Sequence, residues 1–335
     1  MATSIYSLSL AINATLDMHN LNNEGNEGNQ LQTRMVDIIG ADGQLYSVNA
    51  ISGDMLKHIQ AEHLFHLARE RKLPLCAGCQ QFNPNRINAD ADFINRTKGK
   101  SDAETIDDLL QTCAIDDIEG ILITEGGRSI PRKSVIEFGW AVGKPETREG
   151  HNQSFFHVKY APERSEEQRK QDATQRVRKE EQGESKVGGA NLQQAIFYRP
   201  ASSGQYAIVC HLEFGRIGYN DIRQTYTLSP DERAARGAAL LDSVLYTFVQ
   251  LNGAMRSAQL PHLVALEGAL AFSTTLIPAP LISPLAPDYA DQMQRIGRAI
   301  GGDQVRVETF TSLGQFAELM SSLSGEARPY TLEIK

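Results

Sequence analysis

Apolar and polar residues alternate over 5–14 (Ile-Tyr-Ser-Leu-Ser-Leu-Ala-Ile-Asn-Ala), the two-residue period of a strand with one buried face. A second strand-like run covers 35–39. Over 52–70 the period becomes helical, with Met55, Leu56, Ile59, His63, Phe65 and Leu67 recurring near one face. Residues 116–124 read as a strand, followed by Gly126-Gly127. The runs 195–198 and 206–214 are strand candidates joined by Pro200-Ala-Ser-Ser-Gly204, the spacing of a hairpin with a long loop. Residues 230–251 predict a long helix, with Pro230 in its first turn and Asn252-Gly253 as its stop. Strands are expected over 264–275 and 305–309, and helices over 288–300 and 312–323.

Two stretches interrupt this pattern. Residues 75–112 begin Leu-Cys-Ala-Gly-Cys, carry turn signals such as Asn-Pro-Asn, and hold few apolar residues without a sustained period. Residues 163–186 contain seven basic and seven acidic residues with almost nothing apolar, and run into Val187-Gly188-Gly189. Such a balanced charge run is a solvated excursion, not a core element. The order of elements suits an α+β fold of ferredoxin-like type, an antiparallel sheet with helices on one face, carrying two polar insertions. No internal repeat is visible, and the chain reads as one core, 1–335, with its insertions.

At 335 residues and 41% hydrophobic, the chain can bury a substantial core. No window is apolar enough for a membrane span, and Met-Ala-Thr-Ser-Ile-Tyr lacks the basic and apolar regions of a signal peptide. A cytoplasmic protein without a membrane partner is expected. Four cysteines, Cys76, Cys79, Cys113 and Cys210, are too few and too clustered for a disulfide scaffold. The net charge of −8 argues against a surface that coats nucleic acid everywhere. A local basic groove remains compatible, because charges beyond a Debye length of ~8–10 Å are screened.

Four segments carry candidate binding chemistry. In 20–29, five asparagines and two glycines cannot build a core but can present amides and backbone N–H groups to an extended polar ligand, and Arg34 follows with a guanidinium suited to phosphate. Ala50-Ile-Ser-Gly-Asp-Met-Leu-Lys-His58 places Ser52 as a helix cap, with Lys57 and His58 one to two turns in. Gly126-Gly-Arg-Ser-Ile-Pro-Arg-Lys133 is the densest basic cluster outside the mixed-charge run. Gly253-Ala-Met-Arg-Ser-Ala-Gln-Leu-Pro-His262 centres on Arg256 and Ser257.

In this order the segments resemble the repeat-associated CRISPR proteins that form the backbone of type I Cascade complexes, nearest to the DevR/Csa-like group of type I-B and I-A systems. The resemblance rests on A-I-S-G-D-M-L-K-H, on I-E-G-I-L with the basic loop after it, on Q-A-I-F-Y-R-P with the later R-I-G, and on G-A-M-R-S-A-Q-L-P-H. It implies a modified RNA-recognition fold as a palm, a finger insertion at 75–112 and a thumb insertion at 155–204. It also implies a subunit that stacks head to tail on CRISPR guide RNA and presents the guide to a target DNA strand, beside end-capping, large and small subunits. Arg34, Lys57, Arg128, Arg132, Lys133, Arg199 and Arg256 are then the phosphate candidates. Asn20, Asn26, Ser52 and Ser257 would supply neutral hydrogen bonds, and His58 a further RNA contact. Backbone contacts suit a guide whose sequence varies, since they set register without reading bases.

Cys76-X-X-Cys79 has zinc-ligand spacing, and Cys113 returns at the far end of the same insertion as a third ligand, with His63 or His66 as candidate fourth. A structural zinc could replace missing core there; no cofactor is otherwise required. No G-x-S-x-G, H-E-x-x-H or phosphate-binding loop is present. Two enzyme readings stand as rivals: a metal-dependent hydrolase using Asp116, Asp117 and histidines, and an RNA-processing nuclease of the same broad fold with His58 or His63 as general base. No catalysis is expected.

Overall fold

The computed structural model describes residues 2–22, 26–27, 30–31, 34–145, 154–159, 197–253 and 259–332. Strands β1 (Ser7–His19), β2 (Met35–Ile39), β3 (Leu45–Ile51), β4 (Ile136–Phe138), β5 (Ala141–Gly143), β6 (Ser154–Lys159), β7 (Phe197–Leu212), β8 (His262–Ser273) and β9 (Val305–Phe310) join in one sheet. Its order is β9-β8-β1-β7-β5-β3-β2, with β4 and β6 also paired to β7. These pairings are antiparallel. The long β1–β7 ladder runs from Leu8 opposite Leu212 to His19 opposite Ser202, with a bulge between Ser202 and Gly204.

The alternation along β1 decides which face is covered. Leu8, Leu10, Ile12, Ala14 and Leu16 are buried in the main core. There they meet Leu56 and Ile59 of α1 (Gly53–Glu70), and across the chain Leu241 and Val244 of a long helix over Pro230–Val249. On the other face only Ala11 of β1 joins a smaller cluster, with Ala269 and Ala271 of β8 and Met293. Asn13 and Thr15 lie on that second face, half-buried.

Between α1 and β4, residues 75–112 fold into a helical lobe, where the sequence pattern gave no period. It holds α2 (Ala77–Gln80), a 3-10 turn over Arg86–Ala89, α3 (Ala91–Arg96) and α4 (Asp102–Thr112), and is followed by α5 (Ala114–Glu119). Its apolar residues are sparse but fully used: Ile87, Phe93, Ile106, Leu109 and Leu110 all enter the main core. Each α-helix start is capped by a side chain, from Cys76, Asp90, Ser101 and Cys113 in turn. The C-terminal half adds α6 (Pro230–Val249), α7 (Tyr289–Gly301) and α8 (Leu313–Glu326). Ser229 and Glu232 form a capping box at α6 with Pro230 in the first turn, as its sequence predicts. Helix α7 packs on β8 and β9 at the second face, its Met293 clustering with Ala11 of β1, and α8 packs on α6.

Two expected strands are corrected. The 116–124 strand is instead α5 followed by a short strand over Ile121–Ile123. All six residues of α5 are buried, so no polar face marks the helical period. Gly120, at φ +68°, makes the corner between them, and a Cβ there would lie 2.5 Å from Ser134 N. The expected hairpin around 200–204 is one continuous strand, β7. Pairing with β6 along 197–202 and with β1 along 202–212 overrides the turn signal of Pro-Ala-Ser-Ser-Gly.

Arg132 is a third correction. Instead of facing a ligand, it is buried, and its Nη2 donates to Asp117 Oδ1 at 2.7 Å. Arg236 of α6, also buried, donates to Asp117 Oδ2 at 2.8 Å, and Gly218 N donates to the same oxygen at 3.1 Å. Arg132 further donates to the carbonyls of Tyr219 and Arg216. Nearby, Arg233 donates to the carbonyls of Ile217 and Tyr330 and stacks on Tyr226 at 3.7 Å. Guanidiniums thus pin α5, α6, the 215–221 turn and the C-terminal segment together.

Candidate nucleic-acid interface and a buried sulfur cluster

Three of the four candidate segments meet at the end of β1. Asn22 Nδ2 donates to Ala50 O at 2.8 Å, and its Oδ1 accepts from Ser52 N at 3.0 Å, tying the Asn-rich segment to the start of α1. Asn20 Nδ2 donates to Gln259 Oε1 at 3.2 Å, which brings in the 253–262 segment. Gly253 is required there, because a Cβ would sit 2.7 Å from the Leu21 Cα. Ser52 caps α1, its Oγ accepting from Met55 N. Gly53 lets that helix start touch the 138–139 backbone, where a Cβ would lie 2.4 Å from Phe138 O. The next residue is Trp140, 45% exposed, with the Arg34 guanidinium 5.3 Å from its ring centre. A cation stacked on an exposed indole, next to a helix N-terminus, offers both a phosphate partner and a surface for a base. Trp140 carried no signal in the sequence beyond being the chain's single tryptophan.

A buried relay supports this corner. Tyr206 Oη donates to Asn49 Oδ1 at 2.8 Å, so it accepts from His19 Nε2 at 2.7 Å, which fixes the histidine as the neutral Nε2–H tautomer. His19 Nδ1 is buried without a hydrogen-bond partner. Burial lowers the His19 pKa to about 4, against about 6.5 for a free histidine. Between those values the unfolded chain gains a proton that the folded chain refuses, so stability falls as pH drops from 6.5 to 4. The full loss is about 3 kcal/mol. Glu119, whose carboxyl burial lifts to about 6, works in the opposite sense at pH 4.5–6. Denaturation of the native chain and of His19→Gln across pH 4–7 isolates the histidine: the variant should lose less stability on acidification, and equal slopes would contradict this.

The remaining candidates are dispersed. Lys57 turns toward the helical lobe, its Nζ donating to Glu119 O at 3.1 Å and Ser134 Oγ at 2.7 Å. His58 is exposed, its ring beside Phe82. Both line a cavity of about 400 Å³ between α1 and the lobe, with Asp54, Phe82, Arg86 and Glu119. Arg128 donates to Glu125 O and Thr97 Oγ1. Lys133 is exposed and pairs with Glu213 at 3.2 Å. Glu213 follows the Leu212 end of β7, about ten residues or roughly 30 Å along the strand from the row of His19. The basic 126–133 loop is therefore separate from the Asn20 corner. Asn26 lies in a two-residue strand paired at Leu31, and Arg199 in β7 opposite His157; their side chains lie outside the described residues. Arg256 and Ser257, and most of the 155–204 insertion, also lie outside them.

The three cysteines do converge. Cys76, Cys79, Cys113 and Asp116 are buried, with their ligand atoms all within 4.8 Å of one another. The fourth member corrects the expectation of a histidine. His63 instead faces α6, its Nε2 near Gln250 O, and His66 is exposed beside Phe65. The missed signal is a second short spacing, Cys113-X-X-Asp116, matching Cys76-X-X-Cys79. Hydrogen bonds from the neighbouring thiols hold the Cys76 thiol down to about 5, while burial pushes Cys113 and Asp116 up. Neither aspartate of the hydrolase reading is open to solvent: Asp116 sits among sulfurs and Asp117 between two arginines. Among the described residues, no helix is long and apolar enough to cross a membrane.

Comparison with known proteins gives these features a family. A chain titled CRISPR RNA-guided surveillance complex aligns over 95% of this chain and 98% of its own, with a TM-score of 0.49 and 11% identity. A second, titled CRISPR RNA-guided surveillance complex, pre-nicking, aligns over 88% and 86%, with a TM-score of 0.43 and 10% identity. CRISPR-associated protein Cas7/Csa2 1 of Saccharolobus solfataricus is 21% identical over 267 residues, covering 78% of this chain and 76% of that protein. Residues 10–294 match the family described as CRISPR-associated negative auto-regulator DevR/Csa2. With most of its length inside that match, the chain belongs to the CRISPR-associated DevR/Csa2 family.

Proposed function

We propose that this chain is the guide-RNA-bound backbone subunit of a type I CRISPR surveillance complex. The family match over 10–294 carries the reading. The name of the Saccharolobus relative and the Arg34–Trp140 corner, into which three segments of the chain converge, support it. The β8-β1-β7-β5 strand order, with α1 and α6 on one face, supports a ferredoxin-like palm. Residues 75–112 serve as fingers and 155–204 as the thumb. Copies stack head to tail on the guide in the cytoplasm, beside end-capping, large and small subunits, and hold it for pairing with a target DNA strand. Specificity comes from base pairing and the subunit supplies the scaffold, so it needs no catalytic group of its own. Each bound copy raises the effective concentration of the next, so modest contacts suffice. Uptake of guide RNA in proportion to its length, without cleavage, tests the reading.

A further inference from the structure

We propose that Cys76, Cys79, Cys113 and Asp116 bind one zinc ion that fastens the helical lobe to the core. The site is independent of the RNA-binding reading. It consists of two matching halves. In one, Cys76 Sγ caps α2 and accepts from Cys79 N at 3.3 Å; in the other, Cys113 Sγ caps α5 and accepts from Asp116 N at 3.5 Å. Each half thus delivers its second ligand, three residues on, to the same point as the sulfur that caps it.

The distances fit a tetrahedral ion. Zinc bonds of ~2.3 Å to sulfur and ~2.0 Å to oxygen place a sulfur and an oxygen ligand roughly 3.5 Å apart. Asp116 Oδ2 lies 3.3 Å from Cys76 Sγ and 3.7 Å from Cys79 Sγ. The donor set is selective: three thiolates favour a soft-tolerant ion such as zinc over magnesium or calcium, which take oxygen. Four protein ligands without solvent access make a closed, structural centre, not a catalytic one with an open position.

A second observation points the same way. Asp116 Oδ1 is fully buried without a hydrogen-bond partner. A buried carboxyl oxygen left without a partner beside three thiols is costly, and a dication held by the same carboxyl group offsets that cost. The surrounding backbone is also shaped tightly for the cluster. Gly78, inside Cys-Ala-Gly-Cys, approaches the 3-10 turn so closely that a Cβ would lie 2.1 Å from Arg86 O. Cys76 and Cys79 follow α1, whereas Cys113 and Asp116 stand at the α4–α5 junction, so the ion closes the lobe at its base. The lobe's few apolar residues then need not hold it alone.

The test uses the full chain purified under reducing conditions with zinc present. Elemental analysis should find one zinc per chain, retained on gel filtration. Exchange into cobalt should give thiolate charge-transfer bands and the intense visible bands of tetrahedral cobalt, reporting the ligands without any substitution. Cys79→Ser should lower retained zinc at least tenfold, and Cys210→Ser, a buried thiol outside the cluster, should leave it unchanged. Chelation should speed hydrogen exchange across 76–119 more than in β1 or β8. Substoichiometric zinc in a folded, reduced chain, or octahedral cobalt without charge-transfer bands, would overturn the proposal. So would a Cys76–Cys79 disulfide found by mass spectrometry in the reduced preparation.

Discussion

Replacing Asp117 with alanine should lower the unfolding free energy by about 3–5 kcal/mol, a large fraction of the roughly 5–15 kcal/mol typical of a folded domain. The carboxylate is fully buried and joins Arg132 and Arg236, themselves almost without exposure. Its loss takes from the buried Arg236 guanidinium the carboxylate it donates to, and leaves Arg132 with backbone carbonyls and the partly exposed Asp221 at 3.1 Å. It also removes the acceptor of Gly218 N, in a turn where Gly218 adopts φ +71°. Asp117→Asn keeps the shape but not the charge, and should recover only part of the loss. Urea denaturation of the two variants and the native chain checks this. A change below about 1 kcal/mol for the alanine variant would mean that the network contributes little beyond packing.

The second large effect is expected on RNA assembly. Arg34→Ala combined with Trp140→Ala removes the cation and the indole that face each other at the Asn20 corner. A stacked base is worth about 1–3 kcal/mol by such truncation, and each lost phosphate contact flattens the salt dependence by about 0.7 in log–log slope on single strands. Per subunit the loss is about tenfold or more. Along a guide it compounds with every copy, so long RNAs should lose assembly more completely than short ones. Trp140 is half-exposed and takes no part in the Asp117 network, so the double variant should retain native stability. Fluorescence of Trp140 in the native chain should change on adding RNA, since it is the single tryptophan. Unaltered assembly by a stably folded double variant would remove this corner from the interface.

Where the sequence was legible, one local signal agreed with the packing. Helix α1 begins at Ser52-Gly53 because the serine caps it and the glycine admits the 138–139 backbone, and its apolar period faces a real core. Helix α6 was legible for the same reason, through Pro230 and its capping box. Where several environments overlap, the pattern failed. Helix α5 is buried on every side and shows no period. Strand β7 contains a turn signal that two flanking ladders override.

The candidate site was legible in part. The Asn-rich, Ser-Gly and Gly253 segments converge, but through contacts among themselves, with Asn22 and Asn20 serving as internal ties. Basic residues were the least reliable guide, because a guanidinium in a sequence carries no mark of its depth. Arg132, Arg233 and Arg236 are all buried, as are Asp90, Asp116, Asp117 and Glu119, so burial removes charges of both signs and leaves the surface acidic, in line with the net charge of −8. A local contact such as Arg34–Trp140 then matters more than overall charge. The sulfur cluster was visible in Cys76, Cys79 and Cys113, while its fourth member hid in an acidic pair, since only the α5 turn shows that Asp116 faces the sulfurs and Asp117 the arginines.

As the proposed backbone subunit, this chain lines guide RNA without cutting it. Size-exclusion chromatography with light scattering on the chain plus guide RNAs of two lengths, with the recovered RNA run on a denaturing gel, tests it most directly. The account predicts masses that rise in whole-subunit steps with RNA length, and RNA that is recovered intact. RNA that fails to co-elute, or that returns cut at a fixed position, would contradict it.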